Sequence, residues 1–184
     1  MIEKLIDAAI GNKKAEIVLK NGSFVNVFTG EVVRADIAIQ DGKIVGFGEY
    51  EGETEYDITG KVAVPGLIDA HVHIESSQLS PEEFAKMVLP RGTVTVIADP
   101  HEITNVCGIA GAKYIADAAA RTPLEVKVML PSCVPATAFE TSGAILTGAD
   151  TEKYIREPFI YGLGEFMNYP GVIYKDAECM KKLE

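Results

Sequence analysis

From Val64 to the end, the chain repeats one arrangement four times: a short apolar run, a polar tip, then a segment with helical spacing. The apolar runs are Val64–His73, Thr93–Ala98, Val126–Leu130 and Phe159–Phe166, at intervals of about 30 residues, the length of a strand–helix–strand unit. Continuous apolar strands alternating with helices imply a parallel sheet whose faces are covered by those helices. The helix signals agree. Ser80-Pro81-Glu82-Glu83 supplies a capping serine and a first-position proline, and Phe84, Val88 and Leu89 form the apolar face behind them. Val106–Ala120 is alanine-rich and reads as one helix, Thr151–Arg156 as a short one near Asp150, and Lys175–Leu183 as the last.

Before Pro65 the pattern is different. Ile2, Leu5, Ile6, Ala9 and Ile10 have helical spacing, and Gly11-Asn12 ends it. The period then changes to two. Glu16–Leu19 and Phe24–Phe28 read as strands joined by an Asn21-Gly22 hairpin, and Asp36–Gln40 and Lys43–Phe47 as strands joined by Asp41-Gly42. The expected organisation is therefore residues 1–64 as an N-terminal helix plus part of a small β-sandwich, and residues 65–184 as an α/β unit, with Pro65 as the boundary.

Composition narrows the function classes. The net charge of −10 argues against a phosphate-binding surface, so nucleic acid is not an expected partner. Cys107, Cys133 and Cys179 are widely spaced and contain no C-x-x-C pair, which fits free thiols in a reducing compartment better than a disulfide framework. No stretch approaches the roughly 20 apolar residues of a membrane span, so a cytoplasmic protein without a membrane partner is the expectation.

The polar tips carry the chemistry. The first run ends in Asp69, His71, His73 and Glu75, the second in Asp99-Pro100-His101-Glu102, the third in Pro131-Ser132-Cys133 and the fourth in Gly164-Glu165-Phe166-Met167-Asn168. In barrels and open α/β sheets alike, reactions take place at the carboxyl ends of parallel strands. All three histidines of the chain fall there. On a strand, residues two apart point to one face, so His71 and His73 can converge on one metal ion. Simpler readings stand beside this one. His71 and His73 could be a hydrogen-bonded pair, Glu165 a helix cap, Asp99, His101 and Glu102 a turn and cap, Cys133 a buried thiol, and Asp69 either a carboxylate that orients a histidine or a structural acceptor. Other hydrolytic signatures are missing: there is no G-x-S-x-G elbow, no phosphate-binding G-x-x-x-x-G-K-[ST] loop and no G-x-G-x-x-G.

The run Val64-Pro65-Gly66-Leu67-Ile68-Asp69-Ala70-His71-Val72-His73 resembles the first barrel strand of the amidohydrolase superfamily. His71-Val72-His73-Ile74-Glu75-Ser76-Ser77, Ala98-Asp99-Pro100-His101-Glu102-Ile103 and Gly164-Glu165-Phe166-Met167-Asn168, in that order, resemble the bacterial and archaeal adenine deaminases within it. The resemblance implies a metal-dependent (β/α)8 barrel preceded by a small β-sandwich domain, of which about the first four βα units are present. It implies hydrolysis of adenine to hypoxanthine and ammonia at two divalent ions, manganese or iron, with zinc as an alternative. His71, His73 and Glu165 match its metal ligands, Glu165 as the bridging carboxylate, and Asp99, His101 and Glu102 are the expected catalytic groups. Relatives that bridge their metals with a modified lysine are disfavoured, because Phe159–Phe166 contains none. A glutamate-bridged deacetylase of amino sugars is the runner-up enzyme, and a non-catalytic half-barrel that self-associates into a homo-oligomer through its open edges is the non-enzyme alternative. The family draws further ligands from later strands, whereas no histidine follows His101. The expectation is an N-terminal portion that is inactive alone.

Overall fold

The structure is a computed structural model that describes residues 2–137 and 139–184. The chain divides into two compact units, Met1–Pro65 and Gly66–Glu184.

The first unit holds helix α1 (Ile2–Ala9) and seven strands, β1 (Ala15–Lys20), β2 (Ser23–Val25), β3 (Val32–Arg34), β4 (Asp36–Gln40), β5 (Lys43–Gly48), β6 (Gly52–Asp57) and β7 (Val62–Ala63). They form two sheets, ordered β5-β4-β1-β6 and β3-β2-β7. Ala8, Ala15, Val18 and Ala38 make its buried core, with Val45 and Tyr50 packed against them. Asp41-Gly42 closes a hairpin as read, pairing Gln40 with Lys43, and Asp41 takes the left-handed conformation that such a turn needs. Asn21-Gly22 does not. β1 pairs instead with β4 and β6, while β2 joins the other sheet, opposite β3 and β7. Two aspartates override the hairpin signal. The Asn21 N–H donates to Asp36 Oδ1 at 3.1 Å and its Nδ2 to Asp57 Oδ1 at 3.2 Å, which turns the chain from one sheet into the next. The strand read as Phe24–Phe28 stops at Val25, because Asn26 accepts from the Gly30 N–H at 2.7 Å and starts a turn.

Asp36 also binds Lys20, whose Nζ lies 2.5 Å from Asp36 Oδ2 and 2.8 Å from the Tyr50 carbonyl oxygen. Burial raises the Asp36 pKa, but the Lys20 ion pair and the Asn21 N–H outweigh it and hold the carboxyl below its ordinary 3.8. A depressed folded-state value stabilises the fold above the unfolded pKa, and that stabilisation disappears as pH falls through the folded value. Asp36→Asn is therefore expected to lower stability by about 1 kcal/mol near neutrality. The gap between the two proteins should shrink below about pH 4, as read by thermal denaturation across that range. A gap that stays constant with pH would exclude the ion pair as its source.

The second unit places strands β8 (Leu67–Val72), β9 (Thr93–Ala98), β10 (Glu125–Leu130) and β11 (Ile160–Leu163) side by side in chain order. Every pairing is parallel. Helix α2 (Pro81–Val88) connects β8 to β9, α3 (His101–Cys107) and α4 (Ile109–Ala119) connect β9 to β10, α5 (Gly148–Tyr154) precedes β11, and α6 (Tyr169–Ile173) and α7 (Ala177–Leu183) follow it. Ser80 Oγ accepts from the Glu83 N–H to cap α2, whose Phe84 and Ala85 enter a core with Val96, Ala98, Ile115, Val128 and Leu130. Each large apolar side chain buried there contributes about 1.5–3 kcal/mol.

Three elements of this unit differ from the sequence reading. The segment read as one helix over Val106–Ala120 is two, because Gly108, at φ 62°, breaks the helical path while its N–H closes α3 onto the Thr104 carbonyl. α6 was not foreseen. Asn168 starts it by accepting the Gly171 N–H at 3.1 Å, a cap hidden in a segment too short for a periodic signal. The apolar run of β8 is exposed rather than covered, Leu67 to 58% and Ile68 to 65%. The reason is its position: among the described residues β8 has a single neighbour, β9.

Candidate metal centre

The carboxyl ends of β8, β9 and β11 converge. His71 is the penultimate residue of β8, and His73 is still extended (φ −101°, ψ 101°) before the 3-10 turn Ile74–Ser77 begins. That extension keeps both imidazoles on one face, with ring centroids 5.0 Å apart and the planes edge to face. Opposite them stands Glu165, whose Oε1 lies 3.7 Å from His71 Nε2 and 3.3 Å from His73 Nε2.

Glu165 is held by its main chain. Its N–H donates to Asp99 Oδ2 at 2.8 Å and its carbonyl accepts the Ser132 hydroxyl. The preceding Gly164 donates its N–H to the Leu130 carbonyl at 2.7 Å. A side chain at Gly164 has no room, since a Cβ there would sit 2.2 Å from Asp99 Oδ2. The fourth strand thus delivers its carboxylate by packing bare backbone against a buried aspartate.

Asp99 and His101 lie beneath this group. Asp99 is fully buried and His101 nearly so. Asp99 Oδ1 is 2.6 Å from His101 Nδ1, but the two are not aligned as a hydrogen bond, so that oxygen and both ring nitrogens lack hydrogen-bond partners among the described residues. Leaving such groups buried and unpartnered is costly. His71, His73 and Glu165 offer three donor atoms within 4.8 Å of one another, and so do Asp99, His101 and Glu165, with Glu165 common to both groups. Imidazole nitrogens and carboxylate oxygens around a shared carboxylate suit a divalent cation, and the orphaned atoms below it are what a nearby positive charge would compensate. The residues fit a metal.

The remaining polar residues have structural partners. Glu102 Oε2 lies 3.1 Å from His73 Nδ1, and its Oε1 accepts the Ser76 hydroxyl at 2.7 Å. Asp69 accepts the His71 main-chain N–H at 3.2 Å, a structural role that leaves the imidazole alone. Glu75 turns away to accept the Ile103 N–H at 3.2 Å, and burial pushes its carboxyl up. Cys133 is buried beside Ser132 and the Asn168 N–H. Burial lowers the His73 pKa, but the carboxylates of Glu102, Asp99 and Glu165 outweigh it and raise the ring above its ordinary 6.5. Sequence reasoning missed the contact between Ser76 and Glu102. Its only trace was a serine in the first polar tip and a glutamate in the second, with nothing to pair them.

Residues 62–184 match the profile of the amidohydrolase family. An adenine deaminase from Clostridium acetobutylicum is 52% identical over 183 residues, covering all of this chain and 32% of that protein. Adenine deaminase 2 from Carboxydothermus hydrogenoformans is 50% identical, covering 99% of this chain and 32% of its own length. The chain thus spans about a third of the length of the curated relatives it matches. Among solved structures, an N-acyl-D-glutamate deacylase from Bordetella bronchiseptica superposes with a TM-score of 0.61 at 17% identity, over 92% of this chain and 42% of that one. Atrazine chlorohydrolase TrzN from Arthrobacter aurescens superposes at 0.58 and 14% identity, over 86% of this chain and 51% of that one. These two likenesses concern the fold. No helix among the described residues is long and apolar enough to cross a membrane.

Proposed function

The chain belongs to the amidohydrolase family, and on that premise we propose that the protein, at its full natural length, hydrolyses adenine to hypoxanthine and ammonia. The observation that carries this reading is the placement of Glu165 Oε1 within 3.7 Å of His71 Nε2 and 3.3 Å of His73 Nε2, at the carboxyl ends of parallel strands. The adenine deaminases at 50–52% identity supply the substrate. The sheet β8–β11, parallel and in chain order, is read as the first half of a (β/α)8 barrel, and residues 1–64 as a helix plus part of a β-sandwich domain.

His71, His73 and Glu165 would hold the metal, and Glu165 would bridge a pair of divalent ions, manganese or iron before zinc. A bound cation supplies Lewis acidity, which makes water a competent nucleophile near neutral pH. The chain's own residues must do the rest. Water adds across the ring C–N double bond at the purine carbon that bears the amino group, one of its protons going to the ring nitrogen, and the other must travel to the departing amine. Asp99 and His101 are the groups assigned to hold it. Asp99 Oδ1 lies 2.6 Å from His101 Nδ1 without the alignment of a hydrogen bond, so both ring nitrogens are without a hydrogen-bond partner among the described residues. Burial of the pair keeps competing water away from the transferred proton. Glu102 acts on His73 rather than on substrate.

The test is direct. Full-length protein loaded with manganese or iron should convert adenine to equimolar hypoxanthine and ammonia. Adenine consumption no faster than in buffer, from protein with a full metal complement, would overturn the reading. Release of acetate from an N-acetylated amino sugar in place of adenine turnover would favour the deacetylase alternative.

A further inference from the structure

We infer that Ser76 is a positioning residue for the metal site: through Glu102, it decides which nitrogen of His73 faces the metal. The inference rests on the proposed role of His73 as a ligand. Ser76 and Ser77 are neighbours in one 3-10 turn, yet their hydroxyls do different things. Ser77 Oγ donates back to the Ile74 carbonyl at 2.6 Å, closing its own turn. Ser76 Oγ reaches across 26 residues of sequence to Glu102 Oε1 at 2.7 Å. The other oxygen of the same carboxylate, Oε2, meets His73 Nδ1 at 3.1 Å.

An ionised carboxylate has lone pairs and no hydrogen, so both of its partners must donate. Nδ1 of His73 therefore carries a hydrogen, and in the neutral ring Nε2 is left with the lone pair. Nε2 is the nitrogen that faces Glu165 Oε1, at 3.3 Å. The tautomer that binds metal is thus selected from behind, by a carboxylate. Glu102 is itself half exposed, with 46% of its side chain accessible, and its hydrogen bonds among the described residues are those to His73 and Ser76. The Ser76 hydroxyl is the contact that keeps Oε2 turned to Nδ1. Carboxylates that orient a ligating imidazole are worth about 10–100-fold in metal affinity, and a group that orients the carboxylate acts through the same route.

The experiment compares wild type, Ser76→Ala and Ser76→Thr in the full-length protein, with two readouts. The first is the affinity for manganese, by competition with a chelator. The second is the tautomer of His73 in metal-free protein, from imidazole nitrogen shifts at alkaline pH, where the ring is neutral. Wild type should show hydrogen on Nδ1. Ser76→Ala should show a mixture of tautomers and about tenfold weaker metal binding, and Ser76→Thr, which keeps the hydroxyl, should restore both. Ser76 is exposed, so loss of its hydroxyl leaves the fold in place, which a melting curve checks. An alanine variant with the wild-type tautomer and affinity overturns the inference. So does a threonine variant no better than alanine. Failure of wild type to bind manganese would count against His73 as a ligand, while the tautomer comparison would still decide the role of Ser76.

Discussion

In the full-length protein, replacing Glu165 by glutamine is expected to lower the proposed adenine turnover by about a thousandfold and to strip most of the proposed metal. The substitution keeps the size of the side chain and removes its charge. Glu165 faces both imidazoles, so its loss takes the one carboxylate from the His71–His73–Glu165 group. A cation in such a site contributes several kcal/mol of charge stabilisation to the transition state, and about 4 kcal/mol corresponds to a thousandfold in rate. The amide also leaves His73 with one carboxylate fewer among those that raise its pKa. Glu165 is partly exposed, with 44% of its side chain accessible, so the fold itself should survive. Metal content by elemental analysis and kcat/KM on adenine are the two measurements. A variant with full metal content and near-normal turnover would remove Glu165 from the site.

Replacing Gly164 by alanine is expected to be the most damaging small change in the second unit. The added methyl would lie 2.2 Å from Asp99 Oδ2, 2.7 Å from Cγ and 2.8 Å from Oδ1. Asp99 has nowhere to go, since it is fully buried and its Oδ2 already accepts the Glu165 N–H at 2.8 Å. Either the carboxylate shifts and abandons that hydrogen bond, or β11 pulls away from β10 and loses the Gly164 N–H contact to the Leu130 carbonyl. Overpacking costs about 1–3 kcal/mol, and a lost hydrogen bond to a charged group about 1.5–3 more. A kcal/mol moves the midpoint of a chain this size by about 2–4 °C, so melting should fall by about 5–24 °C. Metal affinity should fall with it, because Asp99 and Glu165 move apart. A midpoint within a degree of wild type would show that the backbone here yields more easily than its contacts suggest.

Much of the second unit could be read from residues in line. The helix start at Ser80, the strand Thr93–Ala98 and the spacing of His71 and His73 each depend on chemistry within a few residues, and local chemistry is what a sequence displays. Errors arose where a distant group intervened. Asn21-Gly22 carries the dipeptide of a hairpin, but Asp36 and Asp57, 15 and 36 residues away, capture its donors and send the strand to another sheet. The exposure of Leu67 and Ile68 depends on which strands lie beside β8, and no local pattern encodes that β9 is its one neighbour among the described residues. Gly108 was the exception. It stands in plain view inside an alanine-rich segment, where its positive φ ends one helix and starts the next.

The sequence by itself determined which candidate donors gather at one end of the sheet. Histidines two apart in an extended segment must share a face, and a glutamate at the tip of a parallel strand must reach the same end of the sheet, because strand geometry allows nothing else. Tertiary structure alone decided what each donor touches. It set Glu102 between His73 and Ser76, set Asp69 on main chain, buried Asp99 under Gly164 and left the His101 ring without a hydrogen-bond partner among the described residues. The physical reason is the range of the forces involved. Backbone geometry propagates along the chain and is legible there, whereas a hydrogen bond 2.7–3.1 Å long between two strand tips exists only once the intervening helices have packed.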